Sequence, residues 1–341
     1  MPANRWAMAR RKVADFYRES REMQREGPAY FVLFALLMII ASPFLLLEIS
    51  VYLLTGRDIG WFPVSDDRAQ PVARVVTTAE VIAMMESLRQ PALHLVGTKR
   101  DVRSRIGGVP DLPDGFEWPV WRSAPLAFLA QIDLAEIGQQ SVLPDLPQHG
   151  LLHFFYDQEQ STWGFNPGDR GSWRVYYTTD GLPFRRTDPP AGVTRHGRFG
   201  EKRLEFREVT TYPSVERLSE QPMEMSEETW DELDARQSRG FADLPRHQLG
   251  GLPSPVQGDN MELECQLASN GIDVGDSTGY VSPGAEALKQ GAADWLLLFQ
   301  LDTDDDTGMM WGDVGVLYFW IREEDLRARK FSDCWMVLQC S

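Results

Sequence analysis

Asp302, Asp304, Asp306 and Asp313 occupy the first, third, fifth and twelfth places of one twelve-residue window. A hard divalent cation draws several oxygen ligands from a single turn, so calcium or magnesium is the ion that this spacing suits. Two departures pull against an EF-hand loop. Gly308 stands at the seventh place rather than the sixth, and the twelfth residue is Asp, whose short arm reaches poorly for bidentate ligation. Strand-like runs flank the window instead of helices. The competing reading is an acidic hairpin loop whose carboxylates bond nearby backbone groups. Either way the crowded carboxylates repel one another and call for a counter-charge, a metal or a basic side chain.

Other chemistry-bearing patterns are weaker. Gly275-Asp276-Ser277-Thr278-Gly279 matches G-x-S-x-G, but Pro283 follows soon and no His lies beyond His247. A nucleophile elbow needs a strand before it, a helix after it and a later His, so an α/β-hydrolase is rejected. His94, His149, His153, His196 and His247 form no H-E-x-x-H pair. His153, set among Leu152, Phe154 and Phe155, reads as a sheet residue. Cys265, Cys334 and Cys340 make no C-x-x-C pair and read as buried reduced thiols in strands. Gly107-Gly108 and Gly250-Gly251, each followed by x-Pro, are candidates for an anion nest of backbone N–H groups, or for tight turns alone. Trp118 and Trp311 are candidates to line a ligand pocket, although aromatics at strand spacing are first of all core. Arg185, Arg186, Arg195, Arg198, Lys202 and Arg203 share a central loop that meets solvent, an acidic partner, lipid headgroups or the acidic segment 226–239.

Elements to position these residues follow from periodicity. Thr77 and Glu80 form a capping-box pattern, and Val81, Ile82, Met84, Met85 and Leu88 then recur at helical spacing until Pro91. Nine short apolar runs predict strands: 92–96, 127–132, 151–156, 173–178, 203–209, 261–267, 295–301, 316–321 and 334–339. Asp180 to Lys202 reads as a loop, and 226–239 and 322–329 read as helices. The class predicted is α+β, with mainly antiparallel sheets and few helices. A repeat runs through it. Ile106-Gly107-Gly108-Val109-Pro110 returns as Leu249-Gly250-Gly251-Leu252-Pro253, Gln131-Ile132-Asp133 as Gln300-Leu301-Asp302, and the aromatic run after Gly150 as that after Gly315. Three matches in one order predict a duplicated β-rich domain with halves at about 92–180 and 245–341.

Segments 106–119, 125–137, 150–157, 247–267, 295–321 and 335–340 carry a resemblance to the YwqG-like family, over residues of about 75–341. The family is a bacterial domain of unknown function. The resemblance implies a compact α+β domain and no established activity.

Acids outnumber bases by 50 to 34, a net charge of −16, which disfavours nucleic acid as a partner. The charge is uneven. Residues 1–27 hold seven basic and four acidic side chains, and Tyr30 to Leu47 is free of charge over 18 residues. That length matches the bilayer core at about 1.5 Å per residue. A core helix would be shorter and carry a polar face, and a cleaved signal would carry a shorter apolar run and a small-residue cleavage site. The expectation is a basic cytoplasmic segment at 1–28, one transmembrane helix at 29–54, a linker at 55–73 and the domain at 74–341. The basic residues before the span place the N-terminus in the cytoplasm and the domain outside a bacterial cytoplasmic membrane. Together these features predict a membrane-anchored module that binds a ligand or a protein. The alternative is a hydrolase assisted by a cation held at Asp302, Asp304, Asp306 and Asp313. No cofactor beyond that calcium or magnesium ion is indicated, and the partners expected are the lipid bilayer and a protein.

Overall fold

All but one of the nine apolar runs form strands. The computed structural model describes residues 73–341 apart from 139–141, 220–221 and 242–244. The predicted basic segment, span and linker at 1–72 lie outside the described residues. Among those described, no helix is long and apolar enough to cross a membrane. The strands of the main sheet are β1 Gln90–Gly97, β2 Arg105–Ile106, β3 Ala127–Asp133, β4 Leu151–Tyr156, β5 Trp173–Thr178, β6 Lys202–Thr211, β7 Gln248–Leu249, β8 Trp295–Asp302, β9 Val316–Arg322 and β10 Trp335–Gln339. They make one ten-stranded sheet in the order β10-β9-β8-β7-β1-β6-β2-β3-β4-β5, antiparallel at every pairing. Helices are few: α1 Thr78–Leu88, α2 Val215–Leu218, α3 Glu227–Gln237, α4 Met261–Ser269, α5 Ser277–Tyr280, α6 Pro283–Leu288 and α7 Glu323–Arg327. Thr77 caps α1 in the capping box anticipated from sequence.

The repeat is visible in the strand order. β2-β3-β4-β5 and β7-β8-β9-β10 are its two copies, with β1 and β6 between them. Their registers coincide. Arg105 pairs with Gln131 as Gln248 pairs with Gln300, and both copies shift register one residue on, between Phe128 and Ala130 and between Leu297 and Phe299. The repeated glutamines do the same work. Gln131 Nε2 donates to Arg103 O at 3.1 Å and its Oε1 accepts from Asp111 N at 2.7 Å. Gln300 Nε2 donates to Arg246 O at 2.8 Å and its Oε1 accepts from Ser254 N at 2.9 Å. Each glutamine thus ties together the two ends of its own Gly-Gly-x-Pro turn, pairing backbone groups that would otherwise be buried unmet.

The sheet curls until the two copies share a core. The Phe154 ring of β4 lies 4.6 Å from that of Phe299 in β8 and 5.1 Å from that of Phe319 in β9. Trp173 at the start of β5 meets Trp335 at the start of β10, edge to face at 4.9 Å. Leu112, Leu126, Phe128 and Phe155 form a second buried cluster on the outer face of the first copy. Val76, Val81, Met85, Tyr212, Leu218 and Leu233 form a third, which seats α1 against α3.

Two sequence expectations are corrected. Residues 261–267 are not a strand but the body of α4. Met261, Cys265 and Ala268 are buried at the spacing of one helical face, and acids occupy its first turn. Cys265 is therefore on a helix, and Cys334 and Cys340 flank β10; all three are free and buried. The central loop 180–202 also contains a short strand, Phe184–Arg186, which pairs antiparallel with Asp111–Pro113.

Candidate functional site

Asp304, at the centre of the acidic loop, is 1% exposed and already has its counter-charge. Lys202 Nζ, reaching from β6, donates to Asp304 Oδ2 and to Asp306 Oδ2, each at 2.8 Å. His247 Nε2 donates to Asp304 Oδ2 at 3.1 Å, while its Nδ1 accepts the Asp302 backbone N–H at 3.1 Å. Burial would raise the Asp304 carboxyl, but the His247 and Lys202 contacts outweigh it and hold it far below the usual carboxylate range. Burial would likewise lower the Lys202 ammonium, and the two aspartates hold it up instead. Of the two counter-charges that the sequence allowed, the fold uses the basic one.

In this arrangement both ring nitrogens of His247 are engaged. A His–Asp pair acts as a base only if its second ring nitrogen can reach a substrate, and here that nitrogen is held by backbone. Asp302 is turned elsewhere, its Oδ2 accepting from Arg246 N at 2.7 Å. Asp304 Oδ1 accepts from Thr307 N at 3.1 Å, as expected of an acidic hairpin loop. Among the described residues no group of three or more His, Cys, Asp or Glu side chains is placed to hold a metal ion. Asp302, Asp304, Asp306 and Asp313 are thus not gathered as a ligand set.

The other sequence candidates scatter. Gly107, Gly108, Gly250 and Gly251 all adopt positive φ, between 62° and 73°. Three of their N–H groups are already committed to carbonyls, Gly107 N donating to Leu129 O, Gly108 N to Phe199 O and Gly250 N to Leu298 O. Trp311 is buried, its Nε1 donating to Asp302 O at 3.2 Å, and so belongs to the core. Trp118 is half-buried on the outer face of the first copy, edge-on to Phe155 at 5.3 Å. The basic loop residues pair locally, Arg185 with Asp114, Arg186 with Glu201 and Arg203 with Asp101, not with α3. Ser277 opens the four-residue α5 with no strand before it, so no nucleophile elbow forms. His153 is fully buried, and that burial holds its imidazole down to about 4, neutral and part of the sheet.

A cleft of about 510 Å³ opens between α3 and the second Gly-Gly-x-Pro turn. Its walls include Tyr212, Trp230 and Phe241 on one side and Pro253, Ser254, Pro255 and Val256 on the other. Asp302 and Arg246 sit with Gln300 among its sheet-side lining, and Glu216 and Asp234 are contributed by the helical side. Trp230 is 45% exposed, a large ring left facing water beside a concave surface. The volume lies in the range of small-molecule pockets.

The family model described as domain of unknown function (DUF1963) matches residues 104–340. The chain belongs to this family. No curated protein matches it. The DUF1963 match starts at the edge of β2 and ends at the end of β10, so it covers both copies of the repeat. It excludes β1 and α1, which the sequence resemblance had included.

Of the cleft residues in this DUF1963 chain, Asp302 alone was singled out from sequence, and for a metal. Trp230 was open to discovery as an aromatic on an otherwise acidic helical segment. Arg246 carried a signal too, since it repeats Arg103, each three residues before its Ile/Leu-Gly-Gly turn. Tyr212 and Phe241 carried none, because only the fold brings 212, 230 and 241 to one wall.

Proposed function

We propose that this chain is a membrane-anchored binding module that holds its ligand in the cleft between α3 and the second turn. The cleft itself carries the reading: an exposed Trp230 and several polar side chains line a concavity of about 510 Å³. The anchoring rests on the uncharged stretch at 30–47 with its basic flank. The hydrolase alternative is weakened by Lys202, which takes the place next to Asp304 that its cation would need.

The test uses full-length protein in detergent. Thermal-shift screening against ligand libraries should yield compounds that raise the melting temperature, and Gln257→Trp, which fills the rim of the cleft, should abolish their effect. Stabilisers that are indifferent to Gln257→Trp would place binding elsewhere and refute the assignment. Calcium or magnesium at millimolar concentration should leave the melting temperature unchanged. A rise that Asp304→Asn removes would restore the cation reading. Membrane fractionation with a reporter fused to the C-terminus tests the anchor and its orientation.

A further inference from the structure

The duplication supplies a template for what the cleft holds. In the first copy the stretch Asp111–Pro113, just after the Gly-Gly-x-Pro turn, is covered by the strand Phe184–Arg186. The register sets Arg186 opposite Asp111, Arg185 opposite Leu112 and Phe184 opposite Pro113. Thr187 N extends this ladder by donating to Pro110 O at 2.9 Å. The second copy places Ser254, Pro255 and Val256 at the positions of Asp111, Leu112 and Pro113, with Pro253 at that of Pro110. The match extends to single hydrogen bonds. His153 Nε2 donates to Asp111 O at 2.9 Å, and Tyr318 OH donates to Ser254 O at 2.6 Å. Yet among the described residues no strand lies on 254–256, and these residues wall the cleft instead.

We infer that the cleft takes an extended basic peptide segment, laid along Ser254–Val256 as Phe184–Arg186 is laid along Asp111–Pro113. This rests on the binding-module reading and names its ligand class. Charge supports a basic occupant: Glu216, Asp234 and Asp302 line the cleft against Arg246 alone. The Arg246 guanidinium is already covered in cis by the Phe241 ring at 5.6 Å, as Arg103 is by Phe184 at 5.1 Å. The exposed Trp230 is then free for an apolar side chain of the segment. Pro253 and Pro255 lack N–H groups, so the peptide is the hydrogen-bond donor along this edge and Pro253 O the acceptor that corresponds to Pro110 O.

The probe is the chain's own template, a capped synthetic peptide with the sequence of residues 182–187, Leu-Pro-Phe-Arg-Arg-Thr. It is titrated calorimetrically into full-length protein in detergent. Saturable binding is expected, with affinity falling as salt rises. Replacing both arginines of the peptide by glutamate should abolish binding. N-methylation of the threonine amide, which removes the donor to Pro253 O, should weaken it about tenfold. Asp234→Lys, on the exposed face of α3, should weaken it by a similar factor and leave the melting temperature of the free protein unchanged. Failure of this peptide, together with failure of a selected library of extended basic peptides, would overturn the inference. If small molecules still bound and Gln257→Trp still blocked them, the binding-module reading would survive that failure. Peptide binding insensitive to Asp234→Lys and to Gln257→Trp would also overturn it, since the peptide would then lie outside the cleft.

Discussion

Burial pushes the carboxyl of Glu264 up to about 7, with the Tyr280 hydroxyl pulling the other way from 3.2 Å. Its Oε2 has no hydrogen-bond partner, so this end of the side chain is better off protonated. The sign of the pH effect follows. In the unfolded chain the group titrates near the ordinary glutamate value of about 4.3. The folded state therefore binds this proton more tightly, and its contribution is whole below about pH 4.3 and lost as pH rises through about 7. Glu264→Gln should be more stable than the native chain at pH 8, by roughly 1–3 kcal/mol, and lose that advantage at pH 4.5. Urea unfolding at the two pH values measures it, and an advantage independent of pH would refute the assignment. Asp304 works with the opposite sign. Its depressed carboxyl contributes stability above the ordinary aspartate range, lost only as pH falls below it. Sequence reading recognised that Asp304 needed a counter-charge. It did not reveal Glu264 as perturbed, because α4 was taken for a strand and the cause is its packing.

At the scale of elements, the Gly-Gly-x-Pro turns follow directly on β2 and β7. Gly107 has φ +62°, and a Cβ there would stand 2.0 Å from Gly200 O. Gly115 has φ +78° with nothing within 4 Å of a Cβ. Gly115→Ala should therefore cost only its backbone strain, about 1 kcal/mol, whereas Gly107→Ala adds a backbone collision and should cost about 3 kcal/mol or more. Chemical denaturation of both variants checks this, and equal losses would show that the collision relaxes freely. The turns were plain in the sequence because glycine is the residue for left-handed backbone. The partners of their amides were not, since Leu129 O and Leu298 O arrive from β3 and β8 and Phe199 O from the loop before β6. The error at 261–267 has a similar cause. Seven residues alternating apolar with polar satisfy a strand template, and only the burial of Met261, Cys265 and Ala268 on one face selects the helix.

At the scale of the molecule, the two copies are not two domains. β1 and β6 lie between them in the sheet, and Phe154 of one copy packs on Phe299 and Phe319 of the other. Residues 73–341 should therefore unfold in one cooperative transition, followed alike by near-ultraviolet and far-ultraviolet circular dichroism. Residues 245–341 alone should not fold, because β7 loses β1 as its neighbour and the aromatic core loses its other half. Two separate transitions would contradict the shared core.

By itself the amino-acid sequence determined eight of the ten strands of the main sheet, the caps, the paired turns and the existence of a duplication, for each depends on local spacing and backbone preference. It also determined that the acidic loop required a positive charge. Only the tertiary structure decided that this charge is Lys202, because β6 and the loop lie about a hundred residues apart in the chain. The cleft, too, was decided there. Its wall of Tyr212, Trp230 and Phe241 comes together through packing, and among the described residues its edge at 254–256 carries no strand where the matching edge of the first copy is covered.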